Sequence, residues 1–466
     1  MNQRKLLDPE IFREYDIRGI TDSNLTEDTV YEIGKAFSNK MRKSGIPHVV
    51  TGRDGRISSP NLEKSLSRGL RDGGSVVTSI GRVATPMLYY ATEKLNTGTG
   101  IMVTGSHNPP NYNGLKMMMG GTALSGDSIQ EIYHIINDKA SRNGSGSESE
   151  LSITSEYLSE ITDQVKLKKS LNVIVDCGNG VAGDFAPRLL REIGANVEEL
   201  YCDVDGLFPN HHPDPAEPIN LQDLINSVKK NKADIGLAFD GDGDRLGVVT
   251  NLGQIIWPDR LMMLFAKQVL EKNPMATIIS DVKCSKDLSK VVEQFKGNYV
   301  MWKTGHSHIK AKMAETNALL GGEFSGHICF KDKWYGYDDA LYSAARLLQI
   351  LANSNQTIDE IFDEFPERYC TPEIKIPTTE SEKFRIMDDL RENVDFPKAT
   401  INPIDGLRVE YENSWGLIRA SNTSPVLVLR FEAKDQKNLM AIQTLFQQKL
   451  NEVRPGLKFK PSAGTH

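Results

Sequence analysis

The chain has 466 residues, 39% hydrophobic and 25% charged, the balance of a folded globular protein and not of a disordered one. With 55 Lys+Arg against 62 Asp+Glu the net charge is −7, which argues against a dedicated nucleic-acid binder and leaves room only for a local basic cleft. No stretch approaches 18 consecutive apolar residues, and Lys267 interrupts even the run 261–270, so no membrane partner is expected. Charged residues crowd the first 19 positions too closely for a signal peptide. The cysteines (Cys177, Cys202, Cys284, Cys329 and Cys370) are scattered and read as reduced structural thiols, so a cytoplasmic location is expected.

Length alone suggests about three domains, at ~150 residues each. Taken in chain order, three segments share one pattern. HVVTGRDGR at 48–56 leads through an amphipathic run to SVVTSIG; NVIVDCGNG at 172–180 leads through FAPRLLREIGA to NVEELYCD; TIISDVKCS at 277–285 leads through DLSKVVEQFKG to NYVMWKTG. Each is a β-branched run, a polar turn opening on an Asp, a helical run and a second apolar run. The Asp-to-Val spacing repeats, from Asp54 to Val76, Asp176 to Val197 and Asp281 to Val300. Strands alternating with helices in this way predict βαβ units, and the repeat predicts three related domains. The segment 141–150, SRNGSGSESE, reads as a surface loop or linker. Beyond about residue 370 the pattern changes to strands such as LRVEY and PVLVLRFEA and a helix KNLMAIQTLFQQKL. The fold class expected is therefore α/β, with three related βαβ-type mixed-sheet domains at 1–154, 155–256 and 257–369, and a C-terminal α+β domain at 370–466.

Four loops carry chemistry. DGDGDR places Asp240, Asp242 and Asp244 at alternate positions after the apolar run IGLAF. Two like charges ~4 Å apart repel by ~4 kcal/mol at an effective dielectric of 20, so converging carboxylates call for a cation. A hard, oxygen-loving ion such as Mg²⁺ fits, with coordination positions left for phosphate oxygens. An Asp-Gly surface turn is the plain alternative; a calcium loop lacks its downstream bidentate Glu. TGSHNPP holds Ser106, with His107 beside it, in a turn leaving the strand GIMV, and its paired prolines stop a long helix from starting. GGEFSGH alternates Glu323, Ser325 and His327, which in an extended loop face one way and suit the hydroxyls of a sugar. RASNTSP offers Arg419, Ser421, Asn422, Thr423 and Ser424 as donors in one turn, a set that suits a phosphate dianion. Each loop taken singly could be a plain turn. A competing signal is GNGVAG, whose Gly178, Gly180 and Gly183 match a dinucleotide-binding fingerprint with Asp203 about 20 residues on; no other motif calls for such a cofactor. HHPDPAEP at 211–218 reads as a rigid structural loop.

In this order the four motifs resemble those of the α-D-phosphohexomutase family, one per domain over nearly the whole chain. GEFSGH resembles the phosphomannomutase/phosphoglucomutase branch, since phosphoglucosamine mutases usually carry Gln where Phe324 stands. YDIRG (Tyr15 to Gly19), NGLK (Asn113 to Lys116) and KTGHSH with Gly305 and His306 also resemble family active-site segments. The resemblance implies four domains around a central cleft, named in order for a phosphoserine, a metal, sugar recognition and phosphate binding. It implies phosphoryl transfer between C1 and C6 of a hexose phosphate, with Ser106 as the phosphate carrier and a hexose 1,6-bisphosphate as intermediate. Mg²⁺ would bridge Ser106 to Asp240, Asp242 and Asp244, with Arg245 beside them. Arg18 and Lys116 would polarise the transferred group, and His327 or Lys116 would serve as general acid or base. Tyr15, Lys283, Gly305, His306, Glu323, Ser325 and His327 would line the sugar site, and Arg419, Ser421, Asn422 and Thr423 would hold the substrate's own phosphate. A monomer acting on small hexose phosphates is expected. The other readings weighed are a phosphoglucosamine mutase, a Mg²⁺-dependent phosphohydrolase with an Asp nucleophile, and a silent sugar-phosphate-binding protein.

Overall fold

The protein is described from a computed structural model covering residues 7–464. Three sheets are built on one rule. In the first domain His48–Arg53 pairs in parallel with Val76–Arg82 on one side and Gly100–Val103 on the other, and Gly100–Val103 then pairs antiparallel with Tyr112–Met119. Asn172–Asp176, Asn196–Leu200, Ile235–Phe239 and Leu246–Thr250 repeat that arrangement in the second domain. Thr277–Asp281, Asn298–Trp302, Leu320–Gly322 and Ile328–Phe330 repeat it in the third. The spacing repeat in the sequence is thus a topological repeat. It ends each time in an antiparallel hairpin that the sequence pattern did not show.

The inner strands Gly100–Val103, Ile235–Phe239 and Leu246–Thr250 are buried throughout. That explains their unbroken apolar character, since a sheet covered on both faces has no solvent side to mark. The first sheet also carries Ile17–Ile20, antiparallel to Tyr112–Met119, and Ser147–Glu150, parallel to Val76–Arg82. The latter corrects the linker reading of 141–150. All four of its side chains are exposed, and the contacts they make, Glu148 with Arg71 and Ser149 with Thr78, are polar, so this edge strand left no hydrophobic alternation to read.

The fourth domain is an antiparallel sheet with the helices Glu380–Asn393 and Gln436–Val453 packed on it. Its core, from Ile376 to Phe459, is separate. A single hydrophobic cluster, by contrast, runs through all of the first three domains, from Val50 to Cys370. The fourth domain docks on the third through two buried arginines. Arg408 Nη1 donates to the carbonyls of Val282 and Cys284 at 2.6 and 2.7 Å, and Arg430 Nη2 lies 3.0 Å from Asp259 Oδ2. All four motif loops are hairpin turns: 104–111, 240–245 and 323–327 join the third and fourth strands of the repeated units, and 421–425 joins Ser414–Ala420 to Val426–Ala433. They meet at a cavity of about 300 Å³.

Candidate active site

Ser106 sits at the floor of the cleft, 2% exposed, with φ at +48°. A non-glycine residue held there carries strain of order 1–3 kcal/mol, and the loop is stapled accordingly. Arg56 Nη2 donates to the carbonyls of Ser106 and Asn108 at 2.7 and 2.6 Å, and Nη1 to those of Pro109 and Tyr112. Asp54 accepts from Thr104 Oγ1 and the Gly105 amide. Gly241 presses on the loop from the second domain: a Cβ there would lie 2.3 Å from the Ser106 carbonyl oxygen. Ser106 Oγ is left facing Asp240 Oδ2 at 3.1 Å and His107 Nδ1 at 3.2 Å. Burial, reinforced by Arg245, Arg18 and Lys116, pushes the His107 imidazole well down, so it is neutral at pH 7.

Asp240, Asp242 and Asp244 have no exposed surface and offer carboxylate oxygens all within 4.8 Å of one another. Lys116 Nζ pairs with Asp242 Oδ2 at 2.6 Å and Asp244 Oδ2 at 2.5 Å. Burial opposes ionisation of Asp242, but the Lys116 ammonium outweighs it and holds that carboxyl low. Asp240 has no such partner; burial and the charges of Asp242 and Asp244 push it well above the usual carboxylate range. Asp242 Oδ1 and Asp244 Oδ1 are buried without a hydrogen-bond donor. Orphaned acceptors on a strained carboxylate cluster, beside a buried hydroxyl, fit a hard divalent cation.

The third-domain loop is a turn and not the extended segment expected. The Glu323 amide donates to the His327 carbonyl at 2.9 Å and the Gly326 amide to the Glu323 carbonyl at 3.0 Å. Ser325 therefore lies at the tip, while Glu323 Oε1 folds back to accept from the Gly305 amide at 2.6 Å. Burial raises the Glu323 carboxyl. His306 stacks on His327 with ring centroids 5.2 Å apart, and Lys283 pairs with Glu373 at 2.7 Å. Phe324 is stacked on Trp257, 5.6 Å between centroids, under the Arg430 guanidinium, so most of its surface is spent on packing.

At the roof, Arg419 Nε donates to Asp405 Oδ2 at 3.0 Å and its Nη2 is buried without a partner. Lys383 props the loop by donating to the carbonyls of Ser421 and Ser424. Ser421 Oγ accepts from the amides of Thr423 and Ser424. Asn422 reaches Tyr15, whose hydroxyl donates to the Thr304 carbonyl at 2.6 Å; burial raises that phenol.

Arg18, His107, Arg245 and every other predicted site residue line this one cavity, with the three aspartates directly beneath. Sequence reasoning missed Asp16, Asp214, Glu217, Glu373 and Lys375, which also line it. HHPDPAEP is braced as expected, His211 Nε2 lying 3.0 Å from the Asp176 carboxylate, but it also carries Asp214 to within 3.9 Å of Arg245. The repeated aspartates are missed anchors: Asp54 braces the serine loop, and Asp281 Oδ1 accepts from the Phe324 amide. Their recurrence at one place in three units was the available signal. The glycine fingerprint is explained by packing. A Cβ on Gly183 would lie 1.9 Å from the Cys202 carbonyl oxygen, and the Val181 amide donates to the Gly241 carbonyl, so this loop buttresses the aspartate turn.

Three repeated α/β domains and a fourth α+β domain, each turning one polar hairpin toward a shared cleft, define the α-D-phosphohexomutase class. The chain belongs to the phosphoglucomutase/phosphomannomutase family: models of its alpha/beta/alpha domains I, II and III match residues 9–143, 155–253 and 257–369, and that of its C-terminal domain matches 373–448. It is 51% identical over 451 residues to the phosphomannomutase/phosphoglucomutase of Pseudomonas aeruginosa, covering 97% of each chain. It is 49% identical over 442 residues to the phosphoglucomutase of Neisseria gonorrhoeae, covering 94% of this chain and 96% of that one. The crystal structure of a phosphoglucomutase/phosphomannomutase family protein from Burkholderia thailandensis superposes with a TM-score of 0.92 at 46% identity, covering 98% and 100% of the two chains.

Proposed function

We propose that this protein interconverts the 1- and 6-phosphates of mannose and glucose, through a phosphoserine at Ser106 and a hexose 1,6-bisphosphate. The observation that carries the reading is the pairing of two anion sites in one cavity: the Ser106 hydroxyl against a buried aspartate triad at one end, and the unpartnered Arg419 Nη2 at the other. A hydrolase needs only the first.

Arg419, Ser421, Asn422 and Thr423 hold the substrate's phosphate, while Glu323 and Ser325 take sugar hydroxyls, with Lys283, Gly305, His306 and Tyr15 closing the walls. The free hydroxyl then faces Ser106. The Oγ–P bond breaks as the P–O bond to the sugar forms, and the hydroxyl proton passes to His327. Lys116 is the weaker candidate for that proton, because two carboxylates keep its ammonium charged. Arg18, Lys116 and Arg245 neutralise charge on the phosphoryl group, and positioning with charge stabilisation is what such a transfer needs. Asp240, Asp242 and Asp244, with an oxygen of the Ser106 phosphate, would hold Mg²⁺, which supplies charge neutralisation for the phosphoryl oxygens. The bisphosphate turns over in the cleft and returns its other phosphate to Ser106. Because the cleft is complete within one chain, the working unit is a monomer, with domain seams at 154/155, 256/257 and 369/370. Hexose phosphates are its partners, with no nucleic acid or membrane; no helix among the described residues is long and apolar enough to cross one. We place it in the cytoplasm.

Ser106→Ala tests the reading, assayed with mannose, glucose and glucosamine phosphates. The expected result is loss of mutase activity on mannose and glucose phosphates, with glucosamine phosphate turned over poorly by the unaltered protein. Full mutase activity in the variant would overturn it.

A further inference from the structure

Asp338 is a buried group beside the chemistry with no role assigned above. It has no exposed surface and lies outside every motif read from the sequence. Its two oxygens are divided between two partners. Lys310 Nζ donates to Oδ1 at 2.6 Å, and Oδ2 lies 3.0 Å from His327 Nδ1. On the other side of the His327 ring, Arg245 Nε donates to Nε2 at 3.0 Å. A neutral imidazole carries one proton, and a nitrogen that accepts from a guanidinium cannot hold it. The proton is therefore on Nδ1, beside Asp338 Oδ2, where in the resting cleft the contact is electrostatic and the two atoms make no hydrogen bond. Two carboxylates are in reach, but Asp244 Oδ1 stands farther off, at 3.5 Å, and Asp244 belongs to the metal triad. The stacked His306 ring, with its Nδ1 3.5 Å from Asp338 Oδ2, fixes the plane. Lys310 in turn lies over the Tyr89 ring at 4.2 Å, so the carboxylate is neutralised and immobilised from behind.

We infer that Asp338 is a positioning residue for the phosphoryl transfer: it locks His327 in the Nδ1–H tautomer and so keeps the Nε2 lone pair turned into the cleft to take the sugar hydroxyl's proton. The inference rests on the role given to His327 under the proposed function. The step balances simply. The hydroxyl O–H bond breaks, its proton moves to Nε2, Nδ1 keeps its own, and the imidazolium so formed rests against Asp338. Arg245 occupies in the resting cleft the place the hydroxyl takes.

The test is nitrogen NMR of the full-length protein with ¹⁵N-labelled histidine, the His327 signals being assigned by their loss in His327→Gln. The unaltered protein is expected to show His327 protonated on Nδ1 alone. In Asp338→Asn the proton moves in part or wholly to Nε2, and kcat falls by about 10²-fold while KM stays within about threefold, the signature of an acid–base loss and not of lost binding. Asp338→Glu, which keeps the charge, restores the Nδ1 tautomer and part of kcat. A His327 protonated on Nε2 in the unaltered protein overturns the inference whether or not the variants fold, as does a folded Asp338→Asn with unaltered kcat. Failure of the phosphoserine reading would show instead as activity in Ser106→Ala, which leaves the His327 tautomer untouched.

Discussion

Ser106 and Asp240, at the floor of the cleft, are held from every side, whereas Asn422 and Thr423, at its roof, are held by little beyond their own turn. The floor draws on a hydrophobic cluster continuous through three domains, and the serine loop accepts from Arg56 while its Gly105 and Ser106 amides donate to Asp54 and to the Thr104 hydroxyl. The roof belongs to a domain with its own core, anchored through Arg408 and Arg430 at its base. Toward the mouth its contacts are the Lys283–Glu373 pair, the Thr304 amide on Asp405, the Lys375–Glu217 pair, about half exposed on both sides, and the touch of Asn422 on Tyr15. An exposed ion pair of that kind is worth about 0–1 kcal/mol. The difference follows from two demands of the proposed reaction. In-line transfer requires the donor oxygen to stay put, while an intermediate that must turn over requires the far phosphate site to let go.

The comparison is broken most readily at the floor. Asp240→Asn keeps Oδ1 to accept from the Asp244 and Arg245 amides but removes the charge facing Ser106. Its kcat is expected to fall by about 10³-fold, the scale of a lost electrostatic stabiliser. In metal-free buffer its melting temperature is expected to equal or exceed that of the unaltered protein, because a repulsion buried with Asp242 and Asp244 is gone. Added Mg²⁺ should raise the melting temperature of the unaltered protein alone, by mass action. A metal-free variant that melts lower would show that the triad is not strained.

At the roof, Arg419→Met is expected to lower kcat/KM by about 10²-fold, the value of one or two hydrogen bonds to a charged group, with KM carrying most of the change. A loss confined to kcat would mean that this arginine serves the transfer step and that the two ends are not separable. The smallest effect concerns His211, which braces the second domain against Asp176. Burial alone would lower its pKa, but the carboxylate outweighs burial and raises it. A folded-state pKa above the unfolded value gives stability that is full below the unfolded value, about 6.5, and is lost as pH rises through the folded one. The melting temperature should therefore decline above pH 6.5, and His211→Gln should flatten that decline; an unchanged slope would remove the pair from the account.

How much could be read in advance follows the same division between local and long-range causes. The four loops were legible because each concentrates polar residues in a turn that folding alone does not call for, as in DGDGDR and RASNTSP. The three domains were legible from the recurring Asp-to-Val spacing. Asp338, Glu373 and Lys375 were not, because they reach the cleft only through tertiary packing: Asp338 follows the aromatic run Trp334 to Tyr337, and Glu373 lies in a segment read as a domain boundary. The strand Ser147–Glu150 escaped because nothing it buries distinguishes it from a loop. Phe324 carried a branch signature in the sequence, and its stacking between Trp257 and Arg430 shows that signature to be written in packing.

The central claim is that Ser106 carries the phosphate between the two positions of the sugar. Its most direct test is to incubate the protein with hexose 1,6-bisphosphate labelled in its phosphates, isolate the labelled peptide, and chase the label with unlabelled hexose monophosphate. The account predicts acid-stable label on the peptide holding Ser106, released into sugar phosphate during the chase and not into inorganic phosphate. Acid-labile label on the peptide holding Asp240 to Asp244, or turnover with no labelled peptide, would contradict it.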